Sequence, residues 1–220
     1  MNIFDIVSGA KTRLVGPAQA LPGRAGYPYQ VPLLHAVLGS PIQGPFPSDT
    51  EQIYLGMGCF WGAERKFWRL PGVLTTAVGY QGGYTPYPTY EEVCTGQTGH
   101  AEMVLVSYCP EQLTSYDILK VFWENHDPTS GYRQGNDVGT QYRSAVYCTT
   151  SDQLDIAMRT AQAFGAVLSA AGWGEVTTEV ESADDRPFYY AEDYHQQYLH
   201  NVPNGYDCHS ATGLALPALD

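Results

Sequence analysis

From Glu51 onward the chain alternates short apolar runs with stretches of helical period, and that alternation predicts its elements. Gln52 to Met57 reads as a strand, Phe60 to Leu70 as a helix ended by Pro71-Gly72, and Val73 to Tyr80 as a second strand. Glu102 to Tyr108 is a third strand. Thr114 opens a second helix, with Asp117 where a capping box places its reciprocal acid and Leu113 and Ile118 at the staple positions around the cap. Ile118, Val121, Phe122 and Asn125 continue one face. Arg143 to Cys148 makes a fourth strand. A third helix over Ser151 to Ala171 carries Leu154, Ala157, Met158, Ala161, Phe164 and Leu168 on one stripe, and Val176 to Val180 extends the sheet. The order βαββαβ predicts an α+β fold, a ferredoxin-like two-layer sandwich with an added helix and strand, long loops and a coil C-terminal tail.

Three regions break this pattern. Residues 1 to 50 hold seven Pro and six Gly, which exclude long helices and central strands. They are expected to form an extension that wraps the surface or frays, with a helical turn near Ile3 to Val7 and an apolar patch at Val31 to Leu38; residues 51 to 220 form the catalytic domain. Gln81 to Ala101 and His126 to Tyr142 are long loops rich in Gly, Tyr and Pro, and loops longer than about 12 residues inside a compact domain are more often functional than idle.

Composition narrows the class. The 220 residues are 44% hydrophobic and 15% charged, enough apolar matter for a sizeable core. A net charge of -12 repels nucleic acid and anionic membrane surfaces alike. Five cysteines without CxxC spacing point to a reducing compartment rather than a disulfide framework or zinc site. The start MNIFDIVSGA lacks the pattern of a signal peptide, and no apolar run approaches the roughly 20 residues of a membrane span. A cytoplasmic protein is expected. His195 and His200 fall on different faces of a helix and no phosphate loop is present, so neither a metal nor a cofactor is expected.

The strongest chemical signal is Gly58-Cys59-Phe60-Trp61-Gly62-Ala63-Glu64, at the join of the first strand and first helix. A cysteine at a helix N-terminal turn meets unsatisfied N–H groups and the positive end of the macrodipole, which favour a thiolate. Phe60 and Trp61 would wall an apolar pocket beside the sulfur. Glu102 is a candidate acid, because a carboxyl desolvated at a sheet end keeps its proton; the competing reading is a solvated strand-edge carboxylate. Tyr90, Tyr142 and Asp137 in the two long loops either bind an oxygen or cap turns. Cys208 in the polar tail is either a resolving thiol or an inert surface one. Cys94, Cys109 and Cys148 read as structural.

Several separated blocks then match one family in order. GCFWGAERKFW, PGV, VGYQGGYTPYPTYEEVCTGQTGHAE, VFWENHDPTSGYRQGNDVGTQYRSAVY and FYYAEDYHQQYL together resemble the A-type peptide methionine sulfoxide reductases over roughly residues 51 to 208. The resemblance implies that Cys59 attacks the sulfoxide sulfur, that Phe60 and Trp61 hold the S-methyl group, and that Glu102 protonates the oxygen. Tyr90, Tyr142 and Asp137 would hold that oxygen or order the site. It further implies release of methionine from the S-epimer, free or in proteins, with a sulfenic acid resolved by Cys208 and thioredoxin as reductant. Many relatives carry a further recycling cysteine, whereas His209 to Asp220 holds none, so a Cys59–Cys208 disulfide would go to thioredoxin directly. Two other readings remain open on the residues: a thiol hydrolase pairing Cys59 with His100, and a module that binds oxidised methionine without reducing it.

Overall fold

The architecture is that of a computed structural model describing residues 12–207 and 210–219. In chain order it forms β1 (Glu51–Met57), α1 (Phe60–Phe67), β2 (Val73–Gln81), α2 (Tyr90–Cys94), β3 (Ala101–Tyr108) and α3 (Ser115–Glu124). There follow β4 (Arg133–Gln134), β5 (Asp137–Val138), β6 (Ser144–Cys148), α4 (Ser151–Ala170), β7 (Glu179–Ser182), β8 (Tyr189–Tyr190) and α5 (Tyr198–Asn201).

Period-2 alternation gives the central strands two different faces. Ile53, Leu55 and Met57 of β1 join Val78, Tyr80, Val104, Val106, Tyr108, Val146 and Cys148 on one face, while Tyr54, Ala77, Leu105, Met103, Ala145 and Tyr147 lie on the other. The sheet order is β7-β6-β1-β3-β2-β8, antiparallel except for the β6–β7 pair. Its four central strands and the helices after β1 and β3 make the expected α+β sandwich. On the first face pack α1 through Phe60, Ala63 and Phe67, α3 through Ile118, Phe122 and Trp123, and α4 through Ala157, Phe164 and Leu168. α3 starts where the cap predicts: Thr114 Oγ1 accepts from the Asp117 amide at 3.2 Å, the Asp117 carboxylate accepts from the Thr114 amide at 3.1 Å, and Leu113 is buried in the same cluster as Ile118.

The second face is covered by the N-terminal arm and by the segment that leads into β8. Ile42, Val31 and Phe46 of the N-terminal arm meet Ala77 and Leu105 beside Phe188 and Tyr190. Of the stretch Val31 to Leu38, Val31 packs inward and His35 is buried, whereas Leu33 and Leu34 are 80% and 60% exposed. Residues Ile3 to Val7 lie outside the described residues.

Polar contacts account for the elements that apolar periodicity does not reveal. The 81–101 loop contains α2, started by a full capping box between Thr89 and Glu92. The 126–142 loop contains the β4–β5 hairpin, turned through Gly135 at φ +56°. The strand expected over Val176 to Val180 is centred later, as β7 over Glu179–Ser182, and α1 is shorter, ending at Phe67 with Trp68 as its cap. The tail carries β8 and α5 before running on irregularly from Gly205, because Gln196 docks it: its side chain donates to the Val78 carbonyl at 2.8 Å and accepts from the Val78 amide at 2.9 Å.

Candidate active site

Sheet register brings the chemistry to one end of the fold. Met57 at the end of β1 stands opposite Ser144 at the start of β6, and Tyr80 near the end of β2 opposite Glu102 at the start of β3. The turns that leave those strand ends therefore converge. Gly58, at φ +84°, makes the turn into α1, and a side chain there would collide with Gln134 of the second long loop. Cys59 follows as the N-cap of α1 and is buried, at 6% exposure.

The first amide of α1 goes to a carboxyl group. Phe60 N donates to Glu102 Oε2 at 3.0 Å, so the residue directly after Cys59 is tied to the acid. Glu102 is 2% exposed, which excludes a solvated strand-edge carboxylate. Burial pushes its pKa up to about 8; the Phe60 N–H opposes that rise and the charge of Asp137 adds to it. The group therefore carries its proton at neutral pH.

Two phenols stand near this acid. Tyr90 is the first residue of α2, and its amide is held by Glu192 Oε1 at 2.8 Å. Burial raises its pKa, and the charges of Glu102, Cys94 and Cys59 raise it further. Tyr142 ends the helical turn Thr140–Tyr142 and is raised by burial, then by Glu102, Tyr90 and Asp137. Both hydroxyls are thus kept as hydrogen-bond donors. Asp137, on β5, accepts from Tyr206 Oη at 3.0 Å through Oδ1, while its buried Oδ2 has no hydrogen-bond partner among the described residues.

Phe60 and Trp61 form an aromatic wall whose backing comes from the tail. Trp61 stacks on Tyr198 at 4.0 Å between centroids, and its Nε1 donates to His195 Nδ1 at 3.0 Å. His195 packs against Phe60 at 5.1 Å and Tyr90 at 4.5 Å. Burial pushes its pKa down to about 3, so the ring is neutral, with Nδ1 as acceptor. In the sequence His195 stands out only as a candidate metal ligand. Its position among three aromatics of the YAEDYHQQYL block was the available signal, and among the described residues no group of three metal-binding side chains forms.

His100 does not face the sulfur. Its Nδ1 accepts from the Gly83 amide at 3.0 Å and its Nε2 donates to the Thr85 carbonyl at 2.8 Å, with the pKa lowered by burial to about 4. Both ring nitrogens serve the loop turn, which removes the geometry a Cys59–His100 hydrolase requires. Among the other cysteines, Cys148 is buried in β6 with its thiol pushed up to about 12. Cys94 ends α2 and hydrogen-bonds Tyr90, closer to the site than a purely structural assignment predicts. Cys208 lies outside the described residues. The tail before it crosses the site: Tyr206 meets the Trp61 ring edge-on at 6.4 Å, and Asp207 pairs with Arg65 of α1.

A sequence model of the family described as peptide methionine sulfoxide reductase matches residues 51–217. The peptide methionine sulfoxide reductase of Salinispora arenicola is 59% identical over 211 residues, 94% of each chain. That of a Synechocystis species is 55% identical over 99% of this chain and 96% of its own. Among solved structures, methionine sulfoxide reductase A of Corynebacterium diphtheriae superposes with a TM-score of 0.83 at 47% identity, covering 94% of this chain and 100% of that one. Reduced Mxr1 of Saccharomyces cerevisiae gives 0.65 at 30% identity over 85% of this chain and 100% of its own.

Proposed function

The chain belongs to the peptide methionine sulfoxide reductase family, and from that premise we propose that it reduces the S-epimer of methionine sulfoxide, free or in proteins, by thiol chemistry at Cys59. The observation that carries the reading is Glu102, a buried carboxyl with a pKa of about 8, bonded to the amide next to Cys59. A sulfoxide oxygen leaves sulfur only when protonated, and a carboxylic acid that still holds its proton at neutral pH is the group that supplies it.

In this reading the S-methyl group lies against Phe60 and Trp61, and the oxygen faces Glu102, Tyr90 and Tyr142. Asp137 orders the opening. The Cys59 thiolate attacks the sulfoxide sulfur as Glu102 transfers its proton to the oxygen. The substrate sulfur gains two electrons and leaves as the thioether of methionine; Cys59 loses two and retains the oxygen as a sulfenic acid. Attack by the Cys208 thiol forms the Cys59–Cys208 disulfide and releases that oxygen as water. A dithiol then returns both cysteines to thiols, and thioredoxin is the reductant that the family resemblance supplies.

The test is reduction of each epimer separately with dithiothreitol. Turnover of the S-epimer alone is expected, and turnover of the R-epimer overturns the stereochemical assignment. Cys59→Ser should abolish reduction while leaving binding measurable; surviving reduction removes Cys59 from the chemistry. Cys208→Ser should release one equivalent of methionine and stall with thioredoxin as reductant. Continued turnover would take the resolving step away from Cys208.

A further inference from the structure

The family model begins at residue 51, yet the N-terminal arm holds the loop that carries Tyr90. Leu21 N donates to the Gln97 carbonyl at 3.0 Å, and the Leu21 carbonyl accepts from Thr85 Oγ1 at 2.8 Å. Gly23, at φ +69°, lies so close to Pro86 that a side chain would strike its carbonyl, and Arg24 N donates to that carbonyl at 3.1 Å. Tyr29 Oη donates within reach of two carbonyls, of Pro88 at 2.9 Å and of Tyr190 at 3.0 Å. The 81–101 loop is thereby gripped along its length by a segment far away in sequence.

The grip centres on Arg24. Its guanidinium makes a two-pronged pair with Glu92, Nη1 to Oε2 at 2.9 Å and Nη2 to Oε1 at 2.5 Å, and Nη1 also reaches the Tyr87 carbonyl at 2.6 Å. Glu92 is the acid of the α2 capping box, whose carboxylate accepts the Thr89 amide at 2.9 Å. Arg24 lowers the pKa of that carboxylate, keeping it charged for both partners. Tyr90 is the next residue after the N-cap Thr89, so the contacts that fix Glu92 and the Thr89 amide fix the backbone from which the Tyr90 side chain departs. α2 is five residues long and has little stability of its own. The arm supplies what a short helix lacks.

We propose that Arg24 is a positioning residue for sulfoxide reduction, and that residues 21–29 form a brace acting through Glu92 to hold Tyr90 on the substrate oxygen. The inference rests on Tyr90 acting as proposed above. A misplaced donor loses its advantage steeply, so Arg24→Ala is expected to slow single-turnover methionine formation roughly tenfold at saturating substrate. Arg24→Lys keeps the charge without the planar fork and should recover part of that loss.

The deciding measurement is a cycle of single-turnover rates for wild type, Arg24→Ala, Tyr90→Phe and the double variant. Once the Tyr90 hydroxyl is gone the brace has nothing to aim, so Arg24→Ala should cost less than about twofold in the Tyr90→Phe background. An equal loss in both backgrounds would show that Arg24 supports the fold in general and would overturn the proposal. So would an Arg24→Ala enzyme as fast as wild type beside a slow Tyr90→Phe enzyme. A Tyr90→Phe enzyme as fast as wild type would instead strike the assigned role of Tyr90, and the brace with it. If Arg24→Ala does not fold, Arg24→Lys is run through the same cycle with the same criteria.

Discussion

Two carboxyl groups flank α1, and both are buried, yet the fold treats them oppositely. Glu64, within the helix, accepts from Thr76 Oγ1 at 2.8 Å, Gln197 N at 2.9 Å and Gln197 Nε2 at 2.7 Å. Glu102, at the N-terminal end of the helix, accepts the Phe60 amide alone among the described backbone donors. Burial raises both pKa values, to about 7 where three donors resist and to about 8 where one does and the Asp137 charge assists. Glu64 has spent its lone pairs on joining the helix to β2 and to the tail. Glu102 has oxygen and proton left for a substrate. Burial alone marks neither as catalytic; the count of donors separates the anchor from the acid.

The largest effect that separates them is kinetic. Glu102→Gln keeps the size and the amide contact but has no transferable proton, so single-turnover reduction should slow by roughly 10²-fold or more. Glu64→Gln should stay within about twofold of wild type per folded molecule. If the two variants are equally slow, the contrast is false. The next effect is in pH. The wild-type single-turnover rate should fall as pH rises through about 8, as Glu102 loses its proton, and that alkaline limb should be missing from Glu102→Gln.

Stability should show the reverse ranking. A Gln at position 64 turns an amide toward donors that now meet a carboxyl, so a loss of about 2 kcal/mol is expected, or roughly 4–8 °C in Tm for a chain of this size. The last effect is in linkage. Both carboxyls are raised in the folded chain from an ordinary value of 4.5, so the folded chain holds more protons than the unfolded one between that pH and about 8. Stability is complete below about pH 4.5, is lost as pH rises toward 8, and is level beyond. Glu102→Gln removes one of the two contributions, so its Tm should decline less over that range than the wild type's. Parallel melting curves against pH would mean that the carboxyl is already ionised in the folded enzyme.

The sequence carried the sandwich in its apolar alternation and in the cap at Thr114, because burial in a sheet or helix face repeats at a fixed period. Cys59 was legible for a related reason: it stands where one period gives way to the other. Glu102 could be singled out but not decided, since strand-start carboxylates are exposed or buried according to what covers them. The Thr89–Glu92 box that starts α2 is a local pair like the one at Thr114, but no apolar stripe follows it over five residues. The docking of Gln196 on Val78, His195 behind Trp61 and the grip of Arg24 on Glu92 left no such trace, because each is a polar contact across many positions of chain, and a hydrogen bond between distant residues has no period.

The arm's place on the sheet has a bearing on how the molecule comes into being. Tyr27 Oη accepts from the Tyr190 amide, Tyr29 Oη donates to the Tyr190 carbonyl, and the Ala36 amide is taken by Gln197 Oε1. During synthesis these early residues leave the ribosome long before the residues that receive them, so the arm cannot seat fully until nearly the entire chain has emerged. A nascent chain cut short of Tyr190 would lack these partners, and seating of residues 27–36 on them belongs among the last steps of maturation.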